Sequence, residues 1–212
     1  MFGNIIVKFF IQGGPIMYPI LICALVAVAV VGERIFWWVR EGMRRSPAQL
    51  AEILTAIERG ETQSALQVAS QSQDPVARMI YHGLNHQHTS LQGALQVAAG
   101  VELQRAGRFL TVLDTLVTLA PLLGLLGTVV GLMGSFLKLG GAELDPSAIT
   151  GGIGEALIAT ACGLGIAILA VVPFNYFNGR LSRLQFELET AATNVEIMVK
   201  QEAHRAATAE SV

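Results

Sequence analysis

Charge is scarce in this chain. Only 14% of its 212 residues are Asp, Glu, Lys or Arg, against 52% hydrophobic residues and a mean hydropathy of +0.54. An ordinary soluble domain carries about a quarter charged residues, so this balance excludes one and points to a membrane protein with several spans. The net charge is -2, and no basic patch with interleaved aromatics occurs, which excludes a nucleic-acid-binding surface. Cysteine is also rare. Cys23 and Cys162 both lie inside apolar runs and read as small buried hydrophobes, not as a disulfide or a metal site. No GxSxG, HExxH or GxxxxGK[ST] is present, and the glycine pairs at Gly140 and Gly151 open no strand-to-helix phosphate loop. His82 and His86 share a helix face and His88 follows, but without a nearby glutamate or cysteine they read as solvated surface. Nothing here argues for an enzyme, a metal or a cofactor.

What the chain has in abundance is apolar runs. The first extends from about Phe9 to Gly32 and is closed by Glu33 and Arg34, long enough for one span with some tilt. Ala27 and Ala29 form an A-x-A pattern, the mark of a cleaved leader. The run continues past them, however, and its basic residues follow instead of preceding it, so an uncleaved helix over 16–39 is expected after a periplasmic segment 1–15. Trp37 and Trp38 are expected at the headgroup level on the basic side, with Tyr18 near the other interface.

The second run, 114–138, holds about 23 residues between Asp114 and Lys138, enough to cross a hydrocarbon core of about 30 Å. Thr118, Pro121, Gly124, Thr128, Gly131 and Ser135 fall on one stripe of it, with Gly127 beside them, while Leu and Val fill the rest. Such a stripe lets helix backbones approach closely in lipid, and packing alone would explain it. The third run, 149–177, contains Glu155, with Thr160 near the expected midplane and Gly163 one turn further on. An acid inside a span faces protein or water, because lipid exposure costs at least about 2.5 kcal/mol. The alternative is a helix-end carboxylate near the N-terminal dipole. Glu155 and Thr160 lie about 140 degrees apart around an ideal helix, so the two cannot face one axis.

Orientation follows from Arg34, Arg40, Arg44, Arg45, Arg105, Arg108, Arg180 and Arg183 on one side of the spans, against Lys8 and Lys138 on the other. The basic side is expected in the cytoplasm. The fold class is therefore an all-α integral membrane protein with three transmembrane helices and long cytoplasmic helical extensions, N-terminus out and C-terminus in. Its cytoplasmic parts are 40–113 and a tail over 178–212, and its periplasmic loop is 139–148. Ser46-Pro47, Asp74-Pro75 and Asp145-Pro146 are helix-opening dipeptides, and the apolar face of Leu50, Ile53, Leu54 and Ile57 stops at Gly60. Leu91, Leu95, Ala98, Glu102 and Arg105 run at helical spacing into the second span, which predicts one helix from about Leu91 to Leu137. Pro173 is expected to bend or weaken the last helix, beyond which Leu181, Leu184, Leu188, Ala191, Val195 and Met198 form a packing seam.

LAPLLGLLGTVVGLMGSF over 119–136 and GIGEALIATACGLGIAI over 152–168 resemble the two signature segments of the MotA/TolQ/ExbB proton-channel family. The resemblance covers about the last half of the chain in sequence and all of it in layout. It implies a subunit of the ExbB/TolQ type in the bacterial inner membrane, multi-pass, forming a homo-pentamer around single-span helices of an ExbD- or TolR-like partner. It further implies that Thr128, Thr160 and Glu155 line or border the pore, that Pro121, Gly124, Gly127, Gly131, Ser135 and Gly163 face packed helices or the partner, and that the partner supplies an essential aspartate. Force would pass to a periplasm-spanning protein of the TonB or TolA type. The residues reach part of this unaided. Threonine hydroxyls pass or orient protons but do not store them, and Glu155 is the lone carboxylate within the second and third runs, so a partner carboxylate is the economical completion. A TolQ-like role in the Tol-Pal envelope system and a non-conducting membrane scaffold are the alternatives.

Overall fold

The computed structural model describes residues 10–86, 90–139 and 146–210. Among them the regular structure is helical. The helices are α1 (Met17–Met43), α2 (Pro47–Glu58), α3 (Thr62–Gln71), α4 (Pro75–Asn85), α5 (Leu91–Ala106), α6 (Leu110–Leu139) and α7 (Pro146–Glu210). Lys8, His88 and Asp145 lie outside the described residues, as does most of the expected 139–148 loop.

Three of the helices are long and apolar enough to cross a membrane, over Met17–Met43, Leu110–Leu137 and Thr150–Arg205. The chain divides into two compact units, one made of Met1–Arg34 with Phe109–Phe177 and the other of Ile35–Arg108 with Asn178–Val212. The first unit is largely apolar, both in its core and on its surface. Met17 and Ile20 meet Ala159, while Cys23 and Ala27 meet Leu116. Leu122, Leu125, Val129, Phe136, Leu157 and Ile168 are exposed, and an outer surface of this kind needs lipid or other apolar helices as its solvent.

The second unit holds the four shorter helices α2 to α5 together with the end of α1 and the C-terminal part of α7. The helix start signals work as the dipeptides predict in both units. Pro47 and Pro75 open α2 and α4 at positions where a missing N–H costs nothing, and α7 begins at Pro146. Asp74 caps α4 by accepting the Val76 N–H at 2.9 Å and also takes the Ser46 N–H at 3.2 Å, so one buried carboxylate ties together the starts of two helices. Gly60, at φ +78°, ends the α2 turn in the left-handed region that glycine tolerates. The predicted seam is present: Leu184, Leu188, Ala191 and Val195 are buried, with Leu181 and Met198 half-buried.

The single helix expected over Leu91–Leu137 is broken. α5 stops at Ala106, Gly107 caps it by donating to the Leu103 carbonyl at 2.8 Å, and Phe109 adopts φ 64°, outside any right-handed helix. The periodicity gave no warning because burial keeps its helical rhythm across the break, through Glu102, Ala106, Leu110 and Leu113. Pro173, by contrast, does not interrupt α7. Proline removes only one backbone hydrogen bond, which a long helix tolerates.

Candidate functional site

The second and third apolar runs pack as a close pair, and their glycines set the distance. A β-carbon on Gly124 would lie 3.0 Å from Thr160 Cα, and one on Gly131 would lie 3.0 Å from the Gly152 carbonyl oxygen. One on Gly127 would lie 2.5 Å from Ala159 Cβ, and one on Gly163 would collide with the Ala120 carbonyl oxygen. Ser135 is buried, donates to the Gly131 carbonyl at 3.0 Å, and occupies the space a side chain at Gly152 would need. The helix met by the small-residue stripe is therefore α7 of the same chain. Pro121 is half-buried at the stripe's edge, and Thr118 is exposed.

The polar residues separate by direction. The Thr160 hydroxyl crosses the pair and donates to the Gly124 carbonyl at 2.9 Å. Thr128, half-buried, turns back on its own helix and donates to the Leu125 carbonyl at 2.7 Å. Glu155 is half-buried and points elsewhere again, its carboxylate lying against Gly14 in the turn before α1. The offset expected between Glu155 and Thr160 is thus realised, with one residue meeting the start of α1 and the other meeting α6.

Two features escaped the sequence reading. Arg34, counted there only as a flanking charge, is fully buried, forks onto Glu33 through Nε at 2.5 Å and Nη2 at 2.7 Å, and lies with its guanidinium 5.8 Å from the Phe109 ring centre. In the second unit, Arg78 donates to Glu41 at 2.7 Å, to Glu102 at 2.5 Å and 3.2 Å, and to the Gln73 carbonyl at 2.6 Å. Both carboxylates are buried, and Arg105 adds a bond to Glu102 at 3.0 Å. Burial works to lower the Arg78 pKa, but the bonds and charges of Glu102 and Glu41 outweigh it and hold the guanidinium above its ordinary range. Arginine and glutamate at helical spacing could have hinted at this, but only the fold brings positions 41, 78 and 102 together. Trp38 is buried, with the Arg180 guanidinium 5.2 Å from its ring centre. The His82 and His86 rings lie 6.5 Å apart, tilted by 36°, and line an open groove with Ala94, Val97 and Val101.

Residues 71–190, which contain the helix pair, its threonines and Glu155, match the model of the MotA/TolQ/ExbB proton channel family. The chain belongs to that family. Its relatives include the biopolymer transport protein ExbB-like 3 of Synechocystis, 35% identical over 89% of this chain and 92% of the relative. ExbB-like 1 of the same organism is 30% identical over 91% and 78%. The biopolymer transport protein ExbB of Xanthomonas campestris is 41% identical, over 47% of this chain and 40% of its own length. Family membership and three long apolar helices make this a multi-pass membrane protein of a channel family that is typically not enzymatic.

Proposed function

We propose that this chain is the ExbB-like subunit of a proton-driven motor in the bacterial inner membrane. It works with an ExbD- or TolR-like partner whose single span carries a carboxylate, and the motor moves a periplasm-spanning protein that energises outer-membrane transport. The observation that carries this reading is the α6–α7 pair. Its two apolar runs meet through glycine and hydroxyl contacts, and Glu155 is the one acid within them. A pathway with one acid and several hydroxyls orients protons and leaves their storage to a second protein. The N-terminus lies outside, the basic flanks lie in the cytoplasm, and copies of the chain form a ring.

The test is reconstitution of the chain with its partner in vesicles containing a pH-sensitive dye, under an imposed potential. Flux that requires both proteins and falls when Glu155 is changed to Ala supports the reading. Undiminished flux in that variant removes Glu155 from the pathway. The Thr160 bond to Gly124 favours a second role for that residue, as a clasp between α6 and α7, and Thr160→Val separates the two by stability and flux measured on the same preparation.

A further inference from the structure

The turn that leads into α1 ends against Glu155, the one acid inside the two apolar runs between their bounding charges. Gly13, Gly14 and Pro15 form this turn, and Gly14 holds φ +71°, a conformation that residues with a β-carbon rarely adopt. Pro15 fixes the next φ, and the Gly14 carbonyl accepts the Met17 N–H at 3.1 Å, so the turn is committed to the start of α1. Gly13 is seated on the same surface, since a β-carbon there would lie 2.5 Å from Met17 Cγ and 3.1 Å from Ile158 Cγ2, one turn along α7 from Glu155. A β-carbon on Gly14 would fall on Oε1 of Glu155 and 3.0 Å from its Cγ. The carboxylate therefore rests on the bare Cα of Gly14.

We propose that Gly14 is a positioning residue for Glu155, its hydrogen-only Cα being the wall that sets how far the carboxylate reaches out from α7. The geometry supports this because the group that would meet an added methyl is the far end of a flexible side chain. The carboxylate, and not the backbone, is the part that yields. A glutamate side chain has three rotatable bonds, and without a wall its charge would sweep a wide arc. The consequence for proton movement rests on the function proposed above, but the positioning itself does not.

The test is a double-substitution cycle on the full chain in native membrane vesicles, with Gly14→Ala, Glu155→Asp and the two combined. The readout is the initial rate at which dicyclohexylcarbodiimide modifies residue 155, followed by the mass of its peptide. Gly14→Ala is expected to change that rate by about threefold or more when Glu155 is present, and to change it little when the shorter Asp has withdrawn from the contact. An equal change in both backgrounds would assign the effect to backbone strain at positive φ and overturn the proposal, as would no change in either. If Gly14→Ala alone does not accumulate in the membrane, recovery in the Asp background supports the contact and continued loss overturns it. Proton flux measured on the same vesicles keeps the two readings apart. The expected labelling pattern with undiminished flux in Glu155→Ala leaves the positioning intact and removes the role of the acid in conduction.

Discussion

Thr160 has one hydrogen to give, and it gives it to the Gly124 carbonyl. A hydroxyl bound in this way keeps its lone pairs free, so it can receive a proton or a hydrogen bond from another group while holding α6 against α7. Thr128 is placed differently, because the Leu125 carbonyl it bonds belongs to its own helix. Replacing Thr160 with Val keeps the shape and removes the cross-helix bond, at a cost of about 0.6 kcal/mol and at most about 1.7. Thermal melting in mild detergent should show Thr160→Val less stable than Thr128→Val, with Thr160→Ser near wild type. Both threonines and Glu155 were legible in the sequence as polar residues in apolar runs. The partner of each was not. A helical projection separates Glu155 from Thr160 but does not say that one meets Gly14 and the other Gly124, since that depends on the crossing of helices distant in sequence.

Between elements, contact distance decides which glycines matter. Gly163 faces the backbone of Ala120 and Gly124, which has no rotamer with which to move aside, so Gly163→Ala should cost about 1–3 kcal/mol. Gly165, two residues away, has nothing within 4 Å, and Gly165→Ala should gain about 0.5 kcal/mol from helix propensity. Melting of the two variants side by side checks the contrast. In the other unit, Arg78 bridges the end of α1 to α5 through two buried carboxylates. Truncation to Ala leaves Glu41 and Glu102 without their shared cation and should destabilise by about 3 kcal/mol, while Lys, lacking the fork, should recover only part. The guanidinium is held above its ordinary pKa, so its contribution is complete below that range and is lost only as pH rises through the higher, folded value. The drop in melting temperature for Arg78→Ala should therefore be the same at about pH 6 and pH 8. Helix starts at Pro47, Pro75 and Pro146 were readable because proline and its preceding residue act locally. The break at Phe109 was not, because the apolar rhythm runs through it and its conformation is set beside the buried Arg34.

At the scale of the whole molecule, composition alone set the class: a chain with 14% charge and three long apolar helices has its natural solvent in lipid. The rest of the proposed function is a matter of energy. One proton crossing about 150 mV releases roughly 3.5 kcal/mol, enough to shift a two-state packing of helices by a few hundredfold. That energy moves helices only if protons do not pass without movement. The chain by itself, reconstituted at an imposed potential, should thus carry almost no flux, because Glu155 is the lone acid inside the two apolar runs, beyond the bounding Asp114, and no series of titrating groups spans the apolar length. Adding the partner should open a flux that falls about tenfold or more in Glu155→Ala and less in Glu155→Asp, which keeps the charge but shortens its reach. Native mass measurement of the same preparation should report a homo-oligomer bound to partner chains. Substantial flux from the chain alone would mean that its hydroxyls suffice as a leak path, and the division of labour between this subunit and a carboxylate-bearing partner would fall.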